Sequence, residues 1–123
     1  MNAFLMLAAA ASLITCLVHV AAGGYFVTKP LLAEPNLTRS VKFTVYFAWH
    51  MASVILLAMA ACFAYAAYDG TAGVLAVFMT ILAATFAVLN VGVIAAHKLS
   101  PLFLPHWLLF AAIATLGFIG ILQ

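Results

Sequence analysis

Between Val41 and Tyr68 the chain carries one charged side chain, Lys42, and is otherwise dominated by apolar residues. That run exceeds the roughly 20 residues a helix needs to cross bilayer hydrocarbon. Three further apolar runs flank it, at about 3–26, 72–97 and 102–122. A globule cannot hide four such segments here, because there is too little polar surface to cover them. Of 123 residues, 5% are charged, where a soluble domain carries about 25%. Most of the surface must therefore face lipid. The fold expected is all-α: one domain, residues 1–123, forming a polytopic, antiparallel four-transmembrane-helix bundle.

The connections support that reading. Residues 29–40 form a polar link in which Pro30 and Pro35 are expected to break helix and Asn36 or Thr38 to cap the next one. Asp69-Gly70 suits a tight reversal, which makes the second and third spans antiparallel neighbours. Lys98, Ser100 and Pro101 mark the last turn, and Pro105 is tolerable in the first turn of the fourth helix. The first span lacks the basic start of a secretory signal peptide. Ser12, Thr15, Cys16, His19 and Gly23 recur along it at helical spacing, a small and partly polar stripe of the kind that faces neighbouring helices.

Every Lys and Arg falls on one side of this topology. Lys29, Arg39 and Lys42 flank the first link and Lys98 lies in the third, whereas the termini and the Asp69 turn have none. The positive-inside rule then places the Lys29–Lys42 and Lys98 loops in the cytoplasm and both termini in the periplasm of a bacterial-type inner membrane.

Chemistry concentrates at that basic end. His19 and His50 fall at similar depth, roughly 10 Å and 12 Å from the span ends at 1.5 Å per residue. His97 and His106 are shallower, beside Lys98 and Trp107. An ionisable group inside the hydrocarbon is costly without a partner, which makes the deeper pair a site by default. Imidazole is an axial ligand for haem and also suits transition metals. The expected site is therefore a b-type haem or a metal between His19 and His50, with Gly23 and Ser53 one turn away to admit a macrocycle edge or orient a ring N–H. Tyr46, Trp49 and the nearby basic residues could meet propionates or a quinone head. As metal ligands the full candidate set is His19, His50, His97 and His106. The competing reading is structural: a histidine bonded to a neighbouring hydroxyl or carbonyl, His97 and His106 at headgroup level, Trp49 and Trp107 in the aromatic belt, and Asn90 in an interhelical hydrogen bond.

The stretch His19-Val20-Ala21-Ala22-Gly23-Gly24-Tyr25, followed by Pro30-Leu31, resembles the first helix of small membrane proteins that bind b-type haem, where a histidine precedes a small-residue patch and a loop proline. The resemblance covers a small part of the chain, the later motifs of such proteins are not evident, and no family follows from it.

Other chemistries lack their residues. No carboxylate lies inside a span, against a carboxylate-bridged di-iron centre or a carboxylate proton pump. No nucleophile sits with a base and an orienting acid. Cys16 and Cys62 have no metal-type spacing, and no basic arm suits nucleic acid. Two functions remain: a redox or cofactor-binding subunit in electron transport, with no catalysis expected of it alone, or an accessory or scaffold subunit of a larger membrane complex or homo-oligomer.

Overall fold

The computed structural model describes residues 1–102 and 105–123. Four helices account for most of them: α1, Ala3–Ala33; α2, Arg39–Tyr68; α3, Gly73–Ala96; and α4, His106–Ile121. No strand occurs among the described residues. Three helical segments, α1, α2 and Gly70–Ala96, are long and apolar enough to cross a membrane, and α4 is a shorter apolar helix. The chain is a helical-bundle membrane protein. At 16 residues, α4 extends about 24 Å, somewhat less than the hydrocarbon is thick. Leu102 lies in a turn, and residues 103–104 of the expected fourth span lie outside the described residues.

The helices form a ring in which α1 packs on α2 and α4, and α3 packs on α4 and α2. Asn2 fastens three helix ends. Its Oδ1 caps α1 by accepting from the N–H groups of Phe4 and Leu5, its Nδ2 donates to the Gly120 carbonyl at 2.7 Å, and its own N–H donates to the Ala67 carbonyl at 2.8 Å. Both termini and the Asp69 turn therefore share one end of the bundle, opposite the basic links. In the turn, Asp69 accepts from the Thr71 hydroxyl, the Thr71 N–H and the Tyr65 hydroxyl.

Packing is graded along the bundle. The buried positions cluster toward the Asn2 end: Leu5, Ala8 and Ser12 of α1, Met59 and Phe63 of α2, Ala76 and Ala83 of α3, and Ile113, Gly117 and Gly120 of α4. Alanine and glycine let backbones approach closely there, and a Cβ on Gly120 would stand 2.8 Å from Leu5 Cγ. Toward the basic end the buried residues thin out to Thr28 and Ile94 among those described. The bulky side chains Phe26, Trp49, Phe86 and Phe110 line that half, and cavities open between them.

The first helix corrects one expectation. It does not end near Phe26, and Pro30 does not break it; it runs through Lys29–Ala33. The reason is a π-helical stretch, His19–Thr28, in which N–H groups bond five residues back, as Lys29 does to the Gly24 carbonyl. Pro30 has no N–H to lose, and the wider turn before it relieves the clash between its ring and the preceding turn. Gly23 and Gly24 offer no side chains to resist that widening. The link to α2 shrinks to residues 34–38, and Thr38 caps α2 through Val41 N–H.

Candidate functional site

The π-helical stretch begins at His19, and the side chains around that residue come from two helices. His19 lies flat on Trp49 of α2, with ring centroids 3.8 Å apart and planes inclined by 17°. Its Nε2 is 3.2 Å from the Trp49 carbonyl oxygen, so a neutral imidazole protonated at Nε2 donates to that carbonyl. Nδ1 is left as the acceptor or ligand atom. The Ser53 hydroxyl donates to the same carbonyl at 3.4 Å, and Cys16 Sγ approaches the Ser53 carbonyl at 3.7 Å. Gly23 makes this arrangement possible, since a Cβ there would fall 2.7 Å from Cζ2 of the indole.

On its open side His19 borders a cavity of about 330 Å³ between α1, α2 and α4. The second imidazole in its wall is His106, at the start of α4. The other walls are apolar or small: Gly23 and Phe26 from α1, Leu56 from α2, Phe110 from α4. A neighbouring cavity of about 320 Å³ shares His106, Phe110, Ala52 and Leu56 with it and extends to Asn90 and Phe86 of α3. Asn90 accepts the Trp107 N–H at 3.1 Å, capping α4 from another helix. This is the interhelical bond expected of it, and it fixes the helix start that carries His106.

His50 belongs elsewhere. It is exposed, stands edge-on to Tyr46 with centroids 4.5 Å apart, and lines a separate groove of about 390 Å³ with Trp49, Thr28 and Lys29. Thus Trp49 borders the groove that holds His50 and also carries the stacked ring of His19. His97 is exposed at the C-cap of α3. Among the described residues no three His, Cys, Asp or Glu side chains gather as a metal-ligand set.

The imidazoles brought to one cavity are therefore His19 and His106, from the first and last helices. The expected partners Gly23, Trp49 and Ser53 surround His19, while Tyr46 accompanies His50. Sequence reasoning kept His106 among the candidate metal ligands but favoured an interfacial place for it on account of its shallow position. The signal for its inward direction was its face: Phe110, Ile113, Gly117 and Gly120 continue it, and the last three of these are buried. Trp49 is half-buried between helices, drawn inward by the space above Gly23. The two cysteines are unpaired, Cys16 buried and Cys62 partly so.

No family model, curated protein or solved structure matches the chain. Fold and site together define a class: a small helical-bundle membrane protein with a largely apolar cavity walled by two imidazoles.

Proposed function

We propose that this protein is a membrane-embedded redox-cofactor subunit, holding a planar and largely apolar group of the b-haem type in the cavity between His19 and His106. One observation carries the reading: two imidazoles from sequence-distant helices line one largely apolar cavity, in a chain with very few ionisable groups. Bound ligands in helix bundles are commonly held between facing helices in this way. His19 has the supporting contact typical of a ligand, a ring nitrogen oriented by a backbone carbonyl. The cavity and its neighbour across His106 each lie at the lower end of the range small-molecule sites occupy, so a macrocycle would have to extend across both. The chain's part is to bind, orient and exclude water; a haem would supply the electron transfer. The basic links belong in the cytoplasm by the positive-inside rule, with a bacterial inner membrane as the host and a larger oxidoreductase complex as the partner.

Absorption spectroscopy of the purified protein tests this, with metal analysis alongside. The expected result is a Soret band that shifts on reduction, is lost in His19→Ala and in His106→Ala, and persists in His50→Ala. A lipid extract containing quinone with no Soret band would instead assign the cavity to a quinone head. A colourless, metal-free and quinone-free preparation would sink the cofactor reading.

The second reading, a scaffold subunit, has its own support. Little of the apolar segment containing α3 is buried inside the bundle, and Val74, Phe78, Ile81 and Val88 point outward. That face is available to lipid or to another subunit, and co-purification with a larger complex would favour it.

A further inference from the structure

We propose that the groove between α1 and α2 at the basic end binds the phosphate headgroup of an anionic phospholipid. The first observation is an orphan hydroxyl. Ser12, Thr15, Ser53, Thr80, Thr85 and Thr115 each donate to the carbonyl four residues back, as helical hydroxyls do. Thr28 does not. It is 8% exposed, and its Oγ1 is buried without a partner among the described residues. The cause is local: Thr28 closes the π-helical stretch, where the wider turn shifts carbonyls away from their α-helical positions. A buried hydroxyl left unbonded is destabilising because it has lost water and gained no partner, and Thr28 lines the groove. Turned toward the groove about its Cα–Cβ bond, the side chain would offer this unspent donor to an acceptor oxygen there.

The second observation is charge. Lys29 lines the same groove, and also the neighbouring one bordered by Tyr25, whose ring centroid lies 5.4 Å from the ammonium; among the described residues no carboxylate borders either. Lys42 Nζ donates to the carbonyl of Leu32, another wall residue, at 3.1 Å, which sets a second ammonium at the rim. Tyr46, Trp49 and His50 complete a wall of side chains with polar tips, the types that sit at headgroup level. Phosphate is the acceptor such a set of donors suits. A lipid is favoured over a free anion because the apolar wall, Val20 and Leu32, is exposed on the outer surface of the bundle, where acyl chains run. Basic pockets between membrane helices bind anionic headgroups for these reasons.

Native mass spectrometry of the full chain, released from nanodiscs containing equal phosphatidylglycerol and phosphatidylcholine, tests the proposal. Wild type should retain phosphatidylglycerol at least tenfold over phosphatidylcholine. Lys29→Gln and Thr28→Val should each reduce that preference severalfold, with helical content unchanged by circular dichroism. Lys29→Gln changes an exposed side chain and so keeps the test valid if Thr28→Val folds poorly. Equal retention of the two lipids, or an undiminished preference in Lys29→Gln, overturns the proposal. Displacement of the lipid by millimolar inorganic phosphate also overturns it, by making the groove a site for free anions. The readout needs no bound chromophore, so its outcome is independent of the His19–His106 cavity.

Discussion

The indole of Trp49 occupies the space that a side chain at Gly23 would need: a Cβ there would meet Cζ2 at 2.7 Å. Glycine at this position lets the ring slide over α1 and lie on His19. Gly23→Ala should therefore displace the indole, and overpacking of this kind costs about 1–3 kcal/mol. Thermal unfolding in detergent should show the loss, and Trp49 emission in a Trp107→Phe background should shift. Unchanged emission would mean that the ring is not held between the helices.

Asn90 caps α4 across the bundle by accepting from the Trp107 N–H. Asn90→Ala leaves that donor unpaired and should cost about 1 kcal/mol, the usual value for a lost cap. Hydrogen exchange should rise in the first turn of α4 and not in its glycine-rich last turn. Uniform protection across α4 would count against the cap.

Lys98 has φ 53° and follows α3 in a Schellman arrangement: its N–H reaches the Ala95 carbonyl, and that of Leu99 reaches the Ile94 carbonyl. This left-handed position favours glycine. Lys98→Gly should stabilise the protein by about 0.5–1 kcal/mol, the strain relieved at such a site. Chemical denaturation in detergent reads the sign. A destabilised variant would show that the lysine charge matters more than its backbone.

The Asp69 carboxyl is held below its ordinary range, first by the Thr71 hydroxyl, then by the Thr71 N–H and the Tyr65 hydroxyl. Because the folded value is lowered, this stabilisation is complete above the ordinary carboxylate pKa and is lost as pH falls through the folded one. Asp69→Asn should flatten the acid side of the stability profile while leaving the neutral-to-basic side parallel to wild type. An identical acid limb in the variant would refute the assignment.

The four apolar helices and the sharing of one end by both termini were legible because hydrophobic length and charge placement are one-dimensional signals. Thr38 as the cap of α2, Asn90 as a bridge and Gly117 as a packing residue could be read from residue type. The first helix was misread beyond Phe26, since a proline reads as a terminator unless the widened turn that accommodates it is known. Depth along the axis was estimated well enough to put His19 and His50 near one another in height, but depth does not give azimuth. The missing information was rotation about α1 and α2: the wide turns after residue 19 change which face each later residue presents, and the indole of Trp49 claims the side that His50 would have needed. Asn2 was missed altogether, because one polar residue at a chain end carries no pattern.

That asparagine has a consequence for the chain's connectivity. With Asn2 bonded both to Gly120 and to Ala67, head and tail are already neighbours, and the ring of helices has no seam that packing requires. Joining residue 123 to residue 1 by a short peptide and opening the chain between Pro35 and Asn36 should give a circular permutant with the same bundle. The order in which the helices are translated is then separable from the arrangement they reach.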